Sequence, residues 1–342
     1  MAQYQPFFPL PEPNLSGKSI LITGGTGSFG QQFVKTMFER YQPRRLVVYS
    51  RDEYKHYEMQ QTYGEARYPA IRNFIGDVRD RSRLEIALRG VEIVVHAAAL
   101  KHVPAAEYNP FECIHTNVLG AENLVQAAIR AGVEKVIALS TDKAASPVNL
   151  YGASKLAADK IFVAANNLGA PSGTIFSVVR YGNVIGSRGG VVPLFRKLIA
   201  EGCDSLPITD LRMTRFWITL QQGTNFVLSS LELMRGGEIF IPRIPSMKVV
   251  DLARAMAPHL PHKIIGVRPG EKLHEVMTTK YDTRTILDLG NQYVIEPAFA
   301  SWTRESFRGD GGRPVDEDFV YSSDTNPDWL SAEDLRELLA SH

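Results

Sequence analysis

Residues 19–30 read SILITGGTGSFG, a short β-branched run that stops on glycines at 24, 27 and 30 and leads into a helix-forming stretch. No other feature of the chain narrows the fold so far. A strand ending in this glycine spacing allows a tight turn, close approach of a ligand to the backbone, and close packing of the helix that follows. The pattern then repeats in kind. SILIT, RLVVYS, IRNFIGDV, EIVVHAAA, KVIALST and TIFSVVRYGN alternate with helical stretches such as PFECIHTNVLGAENLVQAAIRAG. Strand and helix in alternation predict βαβ units and a doubly wound parallel sheet.

The expected fold is therefore α/β, a Rossmann-type doubly wound parallel sheet with a smaller C-terminal α/β substrate-binding lobe. Residues 1–16, rich in proline and aromatics, read as an extended tail. Residues 17–183 read as a dinucleotide-binding domain. Residues 184–342 read mainly as the lobe, with helices near 219–235 and 248–257, one strand at EIFIPRI, and room for segments to return to the core. Ligands of such sheets bind at the carboxyl edge, which the lobe would cover.

Charge and cysteine content limit the partners. Lys plus Arg number 38 against 37 Asp plus Glu, interspersed, so no field recruits nucleic acid or an anionic membrane. The two cysteines, Cys113 and Cys203, form no motif and suit a reduced compartment. No run approaches a membrane span or a secretory signal, and the expected location is cytoplasmic. His96, His102 and His274 lack metal-ligand spacing, so no metal is expected.

The glycine turn, with Gly24, Thr26, Gly27, Ser28, Phe29 and Gly30, sets a helix N-terminus against a pyrophosphate. At the end of the second strand the chain reads YSRDEYK. Ser50, Arg51 and Lys55 suit a 2′-phosphate and favour NADP, while Asp52 suits an unphosphorylated ribose and keeps NAD open. Asp77 and Val78, after the third strand, are candidates for the adenine.

Residues 140–155, STDKAASPVNLYGASK, hold an unusual number of proton-transfer groups. Tyr151 and Lys155 lie four apart, on one face of a helix, and as a pair can deprotonate an alcohol. Lys155 and a cationic nicotinamide would lower the tyrosine pKa. Asp142 and Lys143, at a strand end, are a second acid and base for which a simple alcohol dehydrogenase has no use. To act as a base Lys143 needs a lowered pKa, from burial or neighbouring positive charge such as Lys155 and nicotinamide.

GGTGSFG, YSRDE, HAAALKHVP, STDKAASPVNLYGASK, RYGNVIGSRGG, RMTRFWIT, EIFIPRIPSMK and RPGEKLHE together resemble the extended short-chain dehydrogenases. More specifically they resemble the family of inverting UDP-N-acetylglucosamine 4,6-dehydratases of pseudaminic acid synthesis, from about Gly17 onward. The resemblance implies oxidation at C4, loss of the C5 proton, loss of water from C6, and return of the hydride to C6. It implies a tightly held NADP recycled each turn, UDP-N-acetylglucosamine as substrate, and a homo-oligomer. Asp142 and Lys143 would then move the C5 proton and the C6 hydroxyl's proton. Retaining relatives carry Asp-Glu there, so Asp-Lys implies inversion at C5. The resemblance also puts Ala97 and Lys101 beside the cofactor. It assigns Lys101, Asn183, Val184, Arg188, Arg215, Arg268 and Glu271 to the UDP-sugar.

Overall fold

The computed structural model describes residues 11–340. Of the expected tail, residues 1–10 lie outside the described residues. The part from 11 to 16 forms no helix or strand; it inserts Leu15 into the core and pairs Glu12 with Arg40.

The strands are β1 (Ser19–Thr23), β2 (Arg45–Ser50), β3 (Ile71–Ile75), β4 (Ile93–His96), β5 (Lys135–Thr141), β6 (Ile175–Tyr181), β7 (Asn183–Val184), β8 (Leu206–Ile208), β9 (Thr214–Ile218), β10 (Ile239–Pro242), β11 (Ser246–Lys248), β12 (His262–Ile264), β13 (Ile286–Asp288), β14 (Gln292–Ile295) and β15 (Arg313–Pro314). The helices are α1 (Ser28–Arg40), α2 (Glu53–Thr62), α3 (Arg81–Ala87), α4 (Val103–Tyr108), α5 (Pro110–Ile114), α6 (Gly120–Ala131), α7 (Leu150–Ala164), α8 (Asn166–Gly169), α9 (Val191–Ala200), α10 (Leu220–Leu233), α11 (Val249–Met256) and α12 (Ala332–Ala340).

The main sheet has ten strands in the order β15-β13-β14-β10-β6-β5-β4-β1-β2-β3. From β3 across to β10 every pairing is parallel. The register sets Thr23 of β1 beside Tyr49 of β2 and His96 of β4. Order reverses at β1, and the crevice beyond β1 and β4 is where such sheets take ligands. β1 is buried at all five positions. That is why SILIT reads as an unbroken run rather than an alternating one: a parallel strand is covered on both faces.

Helices α1 and α10 pack together on the sheet, with Gln32 donating to Gln221 at 2.7 Å; α6 packs against both α3 and α7. The expected strand at EIFIPRI is β10, but it lies in the main sheet, and β14, β13 and β15 extend that sheet antiparallel beyond it. The strands β7, β9 and β11 form a small separate sheet, as do β8 and β12. These sit with a second apolar cluster built around Ile185, Phe195, Leu206, Trp217, Met247 and Leu335. Strands of two to five residues carry too little alternation to be read from the chain.

Candidate active site

A cavity of about 630 Å³ runs along the carboxyl ends of β1, β2, β4, β5 and β6. At one end it is lined by Gly24, Thr26, Gly27, Ser28, Phe29 and Gly30. Helix α1 begins at Ser28, and its N-cap Gly27 makes no side-chain cap, so the first-turn N–H groups are not taken by a side chain. Gly30 is required by packing: a Cβ there would lie 2.3 Å from the carbonyl oxygen of Gly25. Thr26 and Ser50 bond through their hydroxyls at 2.9 Å, tying the turn to the end of β2.

Ser50, Arg51 and Lys55 line the same cavity; Asp52 does not. Asp52 instead caps α2, accepting from the Lys55 backbone at 3.0 Å and pairing with its ammonium at 2.9 Å. Asp77 and Val78 line the wall beyond, with Asp77 held by Arg79 at 2.8 Å. Ala97 and Lys101 line it between β4 and α4. That loop is pinned by Asn117, which donates to the Leu100 carbonyl at 2.9 Å and accepts from its N–H at 2.8 Å. Asn117 sits in a π-helical turn, His115–Leu119, that interrupts the helix expected over 110–132.

The other end carries the proton-transfer groups. Tyr151 and Lys155 lie on α7 as their spacing requires, and with Lys143 they line the cavity. Gly152 explains how Lys143 comes so close to this helix. A Cβ at 152 would be 2.3 Å from the Lys143 carbonyl oxygen, so only glycine lets α7 press on the Asp142–Ala144 turn. Asn149 caps α7 through the Gly152 N–H at 2.8 Å. It also donates to the Gly270 carbonyl at 2.8 Å, which brings the RPGEK loop to the head of the helix.

Burial pushes the Tyr151 phenol up to about 12, against the pull of Lys143 and a hydrogen bond with Thr141. Thr141 in turn donates to Asp142 at 2.8 Å. The expected lowering of Tyr151 by Lys155 is therefore not what surrounds it. Lys155 donates to the Leu139 carbonyl at 2.8 Å, and burial lowers its own pKa against the pull of Asp159.

Lys143 also departs from expectation. Burial lowers its pKa, but Asp142 at 3.0 Å and Glu275 at 3.1 Å outweigh that and hold it above the ordinary lysine value. Two carboxylates, rather than neighbouring cations, decide its charge. It faces the cavity as an ammonium.

Asn183, Val184 and Arg188 line the cavity where the chain leaves β6. Arg215, Arg268, Glu271 and Asp142 are not part of that lining. Arg215 is buried, donating to the carbonyls of Thr214, Lys272 and Leu273 at 2.7, 3.0 and 3.1 Å. Arg268 pairs with Glu271 in the loop at the head of α7. Asp142 is wholly buried behind Lys143. Thr141, Asn117 and Glu275 are absent from the residues expected at the site. Thr141 stands beside Asp142 in the same motif and could have been read from it. Glu275 carries no local signal. His96 and His274 bond through Nδ1 to Thr23 and Thr214, each at 2.8 Å.

A family model described as polysaccharide biosynthesis protein matches residues 20–297. The chain is 56% identical over 329 residues, 95% of it and 98% of the relative, to the Campylobacter jejuni subsp. jejuni serotype O:23/36 (strain 81-176) protein named UDP-N-acetylglucosamine 4,6-dehydratase (inverting). Among solved structures, that of Pen from Bacillus thuringiensis superposes with a TM-score of 0.86 at 35% identity, covering 96% of this chain and 98% of that one. The dTDP-glucose 4,6-dehydratase DesIV from Streptomyces venezuelae, solved with NAD and TYD bound, superposes at 0.68 with 25% identity, over 75% and 86% of the two chains.

Proposed function

Because this chain belongs to the polysaccharide biosynthesis protein family, we propose that it is an inverting UDP-N-acetylglucosamine 4,6-dehydratase that keeps and recycles NADP. The observation that carries the reading is the meeting of Lys143 with Tyr151 and Lys155 on one cavity whose far end is a phosphate turn. A reaction that only moved a hydride would need no second proton-transfer group there.

Gly24, Gly27 and the start of α1 would hold the pyrophosphate, and Ser50, Arg51 and Lys55 the 2′-phosphate. When bound, NADP supplies the hydride acceptor for C4 and the hydride donor for C6. Tyr151 takes the C4 hydroxyl proton as its own phenol proton passes to Thr141 and the Thr141 proton passes to the Asp142 carboxylate. Lys155, anchored on the Leu139 carbonyl, places a cation beneath the site. Lys143, the member of the pair that lines the cavity, makes the remaining transfers, the C5 proton and the C6 hydroxyl's proton, with Asp142 behind it as its proton partner. Base action by Lys143 requires that its ammonium proton first pass to a neighbouring carboxylate. The 184–342 lobe contributes Val184 and Arg188 to the cavity. Placement of the enzyme in the cytoplasm, assembly as a homo-oligomer and a product destined for pseudaminic acid belong to the same reading. Among the described residues no helix is long and apolar enough to cross a membrane.

Purified protein given UDP-N-acetylglucosamine and no added cofactor should form many equivalents of a 6-deoxy-4-keto sugar with inverted C5, followed by NMR. Retention of the C6 oxygen, unchanged C5 configuration, or stoichiometric cofactor consumption would each contradict the reading. Arg51→Ala tests the cofactor separately. NADP affinity should fall about 10- to 100-fold, the usual worth of a charge-assisted contact, with NAD affinity nearly unchanged. Equal losses for both would point to Asp52 and an NAD site.

A further inference from the structure

We propose that Glu275 is a positioning residue for Lys143, the second of two carboxylates that hold its amine against the cavity and govern its protonation. This rests on the dehydratase reading above. Glu275 Oε1 lies 3.1 Å from the Lys143 amine, which Asp142 Oδ1 approaches at 3.0 Å. The glutamate is 2% exposed.

Its backbone is fixed without help from its side chain. The Glu275 N–H donates to Ser323 Oγ at 2.9 Å, the Ser323 N–H donates to the Glu275 carbonyl at 2.9 Å, and Val276 bridges to Ser322. The carboxylate's contacts are Lys143 and, at 3.7 Å, Arg215. Glu275 Oε2 and Asp142 Oδ2 are buried and accept no hydrogen bond among the described residues. Buried carboxylates placed for stability alone are normally satisfied at both oxygens. Here two half-satisfied ones converge on a single amine that lines the cavity.

The charged groups around Lys143 are Asp142 on its own turn, Glu275 and Lys272 from the loop before β13, and Arg215 from β9; the Tyr151 phenol faces it from α7. Two anions therefore face three cations, Lys143 among them. Removing the Glu275 charge leaves Asp142 alone against all three, and Lys143 gives up its proton more readily. Whichever direction Lys143 moves a proton during turnover, the pH limb that reports it should move down.

The experiment is the kcat and KM pH profile of Glu275→Gln with UDP-N-acetylglucosamine, alongside wild type and Glu275→Asp. The amide keeps the volume and an acceptor but not the charge. Expected are a kcat lower by about 10- to 100-fold, KM within about threefold, and the Lys143 limb shifted to lower pH by about one unit. Glu275→Asp keeps the charge one methylene further back. Its limb should stay within about half a unit of wild type while kcat falls several-fold, and this variant carries the test if the glutamine enzyme does not fold. A Gln variant with an unmoved limb overturns the proposal, whether melting is lowered (a structural role) or KM alone rises (a substrate contact). So does an Asp variant with wild-type kcat. Wild-type enzyme that makes no 6-deoxy-4-keto product overturns the dehydratase reading and this proposal with it. Wild-type turnover with unmoved variant profiles overturns the proposal alone.

Discussion

A Tyr151→Phe enzyme is expected to bind UDP-N-acetylglucosamine with near wild-type affinity and to turn it over about a thousandfold more slowly, the scale of losing a positioned proton-transfer group. The phenol is the cavity-lining hydroxyl on α7, four residues before Lys155, and burial raises its proton affinity. Phenylalanine fills the same volume, and Thr141 keeps its bonds to Asp142 and to the Lys143 N–H, so the loss of about 1 kcal/mol should not unfold the protein. Because C4 oxidation comes first, every later event should fail together. Absorbance of reduced cofactor should not rise on mixing, no water should be lost, and no deuterium should enter C5 in D2O. Single-turnover reduction at the wild-type rate would remove Tyr151 from the oxidation step.

Lys143→Ala should fail later in the sequence. Tyr151 and Lys155 are untouched, so substrate should still be oxidised at C4 and reduced-cofactor absorbance should appear. Elimination should then stall, with 6-deoxy product falling by at least about a hundredfold. In D2O the wild type should place deuterium at C5 with inverted configuration, and the variant should lose that label with the product. Asp142 and Glu275 would remain buried with one cation fewer, at a cost of about 1–3 kcal/mol, so melting should be followed in parallel. Full C5 labelling and normal dehydration by the variant would rule Lys143 out as the base and leave Asp142 to be tested.

Of the two residues, Tyr151 was legible in the chain, and the surroundings of Lys143 were not. Tyr151 and Lys155 are set by helix geometry, which four-residue spacing states directly. The glycine turn was legible for the same reason: Gly30 is needed where α1 meets the end of β1, a contact between neighbours in sequence. Arg51 and Lys55 were readable from their place at a strand end, and they do line the cavity. Asp52 was read as suited to an unphosphorylated ribose; that it also caps α2 was not legible, because the cap depends on where the next helix begins.

Local pattern determined the alternating strands, the parallel sheet, the glycine turn and the α7 pair, since each depends on torsions and spacings within a few residues. Only tertiary structure decided the charge on Lys143, the inward turn of Arg215, and the return of β10 and β13–β15 to the main sheet. Glu275 shows the physical reason most plainly. It reaches Lys143 because the segment around Ser322 and Ser323 clamps its backbone, and the RPGEK loop preceding it is tied by Gly270 to the head of α7. A pKa set by charges that meet across such distances in the chain follows from how the chain closes on itself, and no spacing within a motif encodes it.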